Sequence, residues 1–204
     1  MEKMIREAFW RVGSSRILLS PLPADDTTAF EAAALSESEE EAYRRLSSQK
    51  RRREFLGLRI ALQKLCPGSK LRYLPEGKPY VDAGQISVSH SGEYLALIFD
   101  PEHPVGIDIE GRSERFERLA PRFLAPDERE YLSKEQLALA WSAKEALYKI
   151  LGAPAVDFSG RQRVLPFDLQ PAGSLRIEHR PAQRCYQASY RLTEAYALVY
   201  IVAN

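Results

Sequence analysis

Apolar and polar positions change period several times along the 204-residue chain, and each change marks an element. Alternation predicts a strand around Phe9 to Leu19, and an acidic-to-basic amphipathic stretch predicts a helix around Glu37 to Leu46. A second helix covers Arg52 to Leu65, strands follow around Lys70 to Leu74, and Ile86 to Phe99 reads as a hairpin. Two prolines in Asp100-Pro101-Glu102-His103-Pro104 then discourage both helix and central strand. Beyond them the order begins again. Val105 to Glu110 predicts a strand, a helix starts near Pro126-Asp127-Glu128, and another runs from Leu137 to Leu151. A strand near Ser174 to His179 and a hairpin from Tyr186 to Val202 complete it.

Local echoes accompany the repeated order. Arg59-Ile60-Ala61-Leu62 sits beside Lys144-Glu145-Ala146-Leu147, and Tyr94-Leu95-Ala96-Leu97 beside Tyr196-Ala197-Leu198-Val199. Chance likeness of two amphipathic helices is the plain alternative. A duplication predicts an α+β fold of two similar α/β halves, residues 1–101 and 102–204, each a mainly antiparallel sheet packed on helices. The halves would be related by pseudo-two-fold symmetry, with the active site at their seam. Where the second helix carries Glu145 the first carries Ile60, so only the second half would be equipped for a metal.

Composition narrows the classes. Hydrophobic residues make up 45% of the chain, enough for a proper core, and the formal net charge of +1 gives no global pull toward nucleic acid or membrane. No apolar run approaches the roughly 18 residues that cross a bilayer, and Met1 to Glu7 lacks the apolar stretch of a secretory signal, so the cytoplasm is expected. Cys66 and Cys185 lack metal-type spacing and read as reduced, packed residues. The run Lys50-Arg51-Arg52-Arg53 reads as a solvated helix start. A nucleic-acid module built on it would need aromatic-rich basic strands or a recognition helix, which the chain lacks.

The chemistry concentrates in the second half. In Gly106-Ile107-Asp108-Ile109-Glu110 the strand period of two puts Asp108 and Glu110 on one face. Two carboxylates so placed repel unless a proton or cation lies between them, and their hard oxygens suit magnesium. In Trp141-Ser142-Ala143-Lys144-Glu145-Ala146-Leu147-Tyr148-Lys149 the helical period puts Glu145 and Lys149 on one side. Ala140, Ala143, Leu147, Ile150 and Leu151 form the apolar stripe of that helix, which leaves Trp141, Glu145, Tyr148 and Lys149 on another face. The ordinary alternatives are half-buried strand acids and a surface ion pair. In the first half, Ser89-His90-Ser91-Gly92 offers hydroxyls, an imidazole and a glycine that lets backbone approach closely, a plausible anion cradle. Gly77-Lys78-Pro79 reads equally as a turn. His103 and His179 have no such surroundings.

These segments, in this order, resemble the signature motifs of the 4'-phosphopantetheinyl transferases, in particular the two-half type that activates surfactin synthetase. The strand G-I-D-I-E, the helix W-S-A-K-E-A-L-Y-K, and G-K-P followed by S-H-S together span roughly residues 53 to 151. The resemblance implies transfer of 4'-phosphopantetheine from coenzyme A to a serine of an apo acyl carrier protein or peptidyl carrier domain, releasing adenosine 3',5'-bisphosphate. It implies magnesium on Asp108, Glu110 and Glu145, with Asp108, Glu145 and Lys149 catalytic and Glu145, alone or through water, as the base. It further implies that Arg53, Gly77, Lys78, Pro79, Ser89, His90 and Lys149 contact coenzyme A, Arg53 near the 3'-phosphate and Lys78 near the nucleotide end. One departure from the family pattern is the acidic run Glu37, Glu39, Glu40 and Glu41, where relatives often carry basic residues. A degenerate relative that binds coenzyme A without turnover is the alternative, although all three carboxylates are present. Arg112, Arg115, Arg118 and Arg122 are spaced to line one helical face, either to dock an acidic carrier or as ordinary solvated surface. If one chain supplies both halves, a monomer is expected, with no nucleic acid or membrane partner.

Overall fold

The computed structural model of the chain describes residues 7–152 and 157–203. Met1 to Arg6, most of the stretch expected to lack a secretory signal, lies outside them. Two compact units divide the chain, Met1–Pro101 and Glu102–Asn204. Both are mixed helix and antiparallel sheet.

In the first unit, β1 (Ala8–Val12) and β2 (Ser15–Pro21) form a hairpin where one strand is expected around Phe9 to Leu19. Gly13 and Ser14 supply the turn that interrupts it. Next comes α1 (Asp26–Ala33), absent from the sequence-based reading. Its start is fixed by Asp25, whose side chain accepts from the Thr28 amide at 2.8 Å, but it buries only Ala29 and Ala33, so its periodicity is faint. After it, α2 (Glu37–Arg44) and α3 (Gln49–Leu65) match the two expected helices. A short ribbon, β3 (Arg72–Tyr73) with β4 (Pro79–Tyr80), precedes the hairpin β5 (Gln85–Ser91) and β6 (Tyr94–Asp100). The sheet order is β1-β2-β6-β5, and Leu58, Leu62 and Leu65 of α3 share a core with Leu18, Ile86, Leu95, Leu97 and Phe99.

In the second unit, β7 (Val105–Gly111) leads to α4 (Arg115–Phe123), α5 (Glu128–Tyr131), α6 (Leu137–Leu151) and α7 (Phe158–Arg161). The helix expected near Pro126 is therefore a single turn. The longer α4 precedes it, held by burial of Phe116, Ala120 and Phe123 at helical spacing despite Pro121. Strands β8 (Gln162–Val164), β9 (Ala172–His179), β10 (Arg184–Leu192) and β11 (Tyr196–Val202) complete an antiparallel sheet ordered β7-β11-β10-β9-β8. In this unit as in the first, a strand is followed by helices and then pairs with the return strand of a hairpin. The main helix α6 packs on β7 and β11, where Leu139, Ala140, Ala143, Ala146 and Leu147 share a core with Ala197, Val199 and Ile201. Among the described residues no helix is long and apolar enough to cross a membrane. Both cysteines are free thiols. Cys66 is buried as expected, but Cys185 is exposed, because alternation on β10 turns Tyr186, Ala188 and Tyr190 inward instead.

Candidate active site

Strand register decides which way the two acids of β7 point. Asp108 pairs with Val199 and Glu110 with Ala197, both on the face of β11 that packs against α6. Ile107 and Ile109 take the other face and are buried as well. The acids therefore meet α6, whose residues 141, 145 and 149 rise in successive turns along one stripe. At one end of the stripe Lys149 donates from Nζ to Asp108 Oδ1 at 2.9 Å and to the Ile107 carbonyl at 2.8 Å. At the other end the Trp141 indole Nε1 donates to Glu110 Oε1 at 3.2 Å. Arg115 of α4 donates to Glu110 Oε2 at 2.5 Å.

Glu145 stands between these two contacts. Burial first, and then the carboxylate of Asp108, pushes its carboxyl up from the ordinary 4.5 to about 7; Glu110 adds to the rise and Lys149 opposes it. The rise reflects burial together with two neighbouring acids that Lys149 does not fully offset. Among the described residues no three acidic, histidine or cysteine side chains already converge on one point. Asp108 is turned toward Lys149 and Glu110 toward Arg115 and Trp141. The donor set still fits a hard divalent cation by its chemistry, because three carboxylates are close enough for two of them to raise the third.

Two residues make this geometry possible. A Cβ on Gly106 would lie 2.0 Å from the Ala146 carbonyl oxygen, so only glycine lets α6 come this close to β7. Gly106→Ala is expected to lower stability by about 1–3 kcal/mol, read from urea unfolding. An unchanged midpoint would contradict the close approach. Trp141, which needs cover on its exposed-looking face, receives it from Phe116, Phe123 and Phe158, the last two edge-on at 5.2 and 5.7 Å. That packing fixes the indole N–H on Glu110.

Lys144, to which the sequence reading gives no role, is fully buried. Its Nζ donates to Glu128 Oε2 at 2.6 Å and to the carbonyls of Phe123, Gln162 and Phe158 at 2.8, 3.0 and 3.3 Å. Glu128 also accepts from the Ala125 and Val164 amides, both at 2.8 Å. Burial lowers the Lys144 ammonium and Glu128 opposes that shift. The pair ties the end of α4, α5, α7 and β8 to the residue next to Glu145.

The remaining expected residues lie in the first unit. Gly77 and Lys78 form the turn of the short ribbon, where the Leu74 amide donates to the Lys78 carbonyl at 2.9 Å and the Gly77 amide to the Leu74 carbonyl at 2.8 Å; Pro79 opens β4. Ser89 is buried on β5 opposite Ala96, and His90 beside it is exposed. Gly92, at φ +59°, makes the turn into β6. Arg53 of α3 donates from Nε to the Pro23 carbonyl at 2.5 Å and forks onto both carboxylate oxygens of Glu93. Glu54 Oε1 lies 3.3 Å from His90 Nδ1. Neither carboxylate figures in the sequence reading. Arg112 precedes α4 and so is not part of the expected helical stripe, which is exposed at Arg118 and Arg122, whereas Arg115 is engaged by Glu110.

Comparison with known proteins bears on the same segments. Residues 104–201 match the model of the 4'-phosphopantetheinyl transferase superfamily. A 4'-phosphopantetheinyl transferase of Bacillus subtilis is 29% identical over 209 residues, covering 90% of this chain and 88% of the relative. The 4'-phosphopantetheinyl transferase AcpT of Salmonella typhi, like that of Salmonella typhimurium, is 33% identical over 129 residues, covering 57% of this chain and 67% of the relative. The matched region holds β7, α6 and every acid of the stripe, and on this ground the chain belongs to the 4'-phosphopantetheinyl transferase superfamily.

Proposed function

We propose that the chain is a transferase of the two-half, surfactin-synthetase-activating type. It moves 4'-phosphopantetheine from coenzyme A to a serine of an apo acyl carrier protein or peptidyl carrier domain, acting in the cytoplasm as a monomer. The observation that carries this reading is Glu145 hemmed by Asp108 and Glu110, with Lys149 one turn further on. Similarity to the Bacillus subtilis relative along 90% of the chain supports the two-half type over a shorter one.

Asp108, Glu110 and Glu145 would hold magnesium, which when bound polarises the oxygens of the donor's pyrophosphate. The serine hydroxyl attacks the phosphorus on the pantetheine side of that pyrophosphate. The bond to the bridging oxygen breaks, and its electron pair leaves with adenosine 3',5'-bisphosphate. Glu145, alone or through a water, accepts the serine proton. Lys149, anchored by the Ile107 carbonyl and Asp108, presents positive charge to the phosphates. In the first unit His90, Ser89 and Arg53 contact phosphate, and Gly77, Lys78 and Pro79 meet the nucleotide end. Arg112, Arg118 and Arg122 draw in the acidic face of the carrier, which makes loading salt-sensitive.

Incubation with coenzyme A, magnesium and an apo carrier should increase the carrier's mass by one phosphopantetheine group, and Asp108→Ala should prevent it. No gain with several unrelated carriers would overturn the reading. Magnesium at ten times its dissociation constant should stabilise the protein by about 1.4 kcal/mol. Calorimetric melting should find that rise lost in a variant lacking both β7 acids. An equal rise in that variant would remove β7 from the metal site.

A further inference from the structure

Arg53, which the transferase reading sets near the donor's 3'-phosphate, and His90, to which it gives a phosphate contact, are both already matched by carboxylates. Arg53 is only 19% exposed, and its guanidinium is used on three nitrogens, Nε on the Pro23 carbonyl and Nη1 and Nη2 on Glu93. This two-pronged pairing is the strong form of an arginine–carboxylate contact. Arg53 accordingly holds the Glu93 carboxyl below its usual range. His90 faces Glu54, and Lys50 Nζ lies 3.8 Å from the same Glu54 oxygen. Lys50 and Arg53 set against Glu54 and Glu93 leave these four side chains without net charge.

A phosphate arriving here would have to displace one carboxylate and remain close to another. Glu93 is 64% exposed, so its carboxylate can move out into solvent when an anion takes its place on Arg53, and it alone would not exclude one. Glu54 is the residue that decides. It is only 16% exposed, on a helix whose buried face fixes its position, so its charge stays beside His90 whatever binds. Like charges at that range repel, and specificity is often set by such a repulsive element. Three of the four acids of the run on α2 have basic partners elsewhere, Glu39 on Arg59, Glu40 on Arg44 and Glu41 on Arg45.

We propose that Glu54 and Glu93 make this chain indifferent to the third phosphate of its donor, so that dephospho-coenzyme A serves it about as well as coenzyme A. The inference rests on the transferase reading above for the nature of the donor. Titration calorimetry of the full chain with each donor, in magnesium, tests it without turnover. The two dissociation constants should differ by less than about fivefold, close to 1 kcal/mol. A preference for coenzyme A of fivefold or more overturns the proposal. The double variant Glu54→Thr, Glu93→Gln should increase the preference for coenzyme A at least fivefold over the parent, and no increase would also overturn it. If circular dichroism finds that variant unfolded, Glu93→Gln alone is expected to increase it by about twofold, and the parent's ratio remains decisive. Carrier loading in the same samples separates the two readings. Matched affinities with no loading by either donor would retain the inference and remove the transferase, whereas binding of neither donor would remove both.

Discussion

Glu145→Gln is expected to abolish carrier loading, by about a thousandfold or more, while making the metal-free protein more stable at about pH 8. On the proposed function, the loss follows from removing one of three acids that would hold the cation and the residue that would take the serine proton. The gain follows from linkage. The folded-state carboxyl sits near 7 against an ordinary 4.5, so between those values the folded protein binds more protons than the unfolded chain. Stability therefore falls as pH rises through that window, and the whole penalty is present above 7. A shift of this size corresponds to about 3 kcal/mol before screening, and solvent screening at a half-buried carboxylate brings the expected effect to about 1–2 kcal/mol. Glutamine keeps the shape and drops the charge. Urea unfolding in chelator should find the variant ahead of the parent at about pH 8 and level with it near pH 4, below the window. A variant less stable than the parent at about pH 8 would mean that Glu145 is compensated by a partner and is not poised for a cation.

The stripe of acids and Lys149 is open to sequence reading because both of its parts are periodic. Alternation in G-I-D-I-E separates acids from isoleucines, and the spacing of 141, 145 and 149 follows the helical turn. Which sheet face the acids take is a matter of register with β11, some 90 positions away, and no local pattern specifies it. The same limit hides Glu54 and Glu93, since α3 meets the β5–β6 hairpin only through folding. Other features carry a local signal of their own. The Gly13-Ser14 step inside the first expected strand is a turn signal, and Asp25 followed by Thr28 is a helix start. Lys144 is the plainest case. Ala140, Ala143, Leu147 and Leu151 set an apolar stripe, and position 144 falls inside it, so a lysine there has to be buried with partners. Only the identity of those partners lay beyond reach, because Glu128 and the carbonyls of Phe123, Phe158 and Gln162 come from four separate segments.

Lys144→Met is expected to destabilise the protein by about 3–5 kcal/mol, the opposite of the change at the neighbouring position. Methionine fills much of the same volume, so a cavity is not the cause. What remains is a fully buried Glu128 without its countercharge and three carbonyls without their shared donor. Glu128 cannot be replaced freely either, since its two oxygens also receive the Ala125 and Val164 amides. A double-mutant cycle separates these effects. Glu128→Gln retains an acceptor oxygen for one amide and removes the stranded charge, so in the Lys144→Met background it should recover about 1–2 kcal/mol, whereas in the parent it should cost stability. Opposite signs in the two backgrounds identify an ion pair whose members need each other more than the fold needs either. Equal costs in both would instead assign the loss at position 144 to the carbonyls alone. Because the pair anchors α4, α5, α7 and β8 behind α6, its loss should also lower loading at saturating coenzyme A, with kcat falling more than KM rises. Positions 144 and 145 thus differ in kind within one helical turn, the lysine matched by a buried carboxylate and three carbonyls, the glutamate raised by burial and by two neighbouring acids, as the proposed function requires of it.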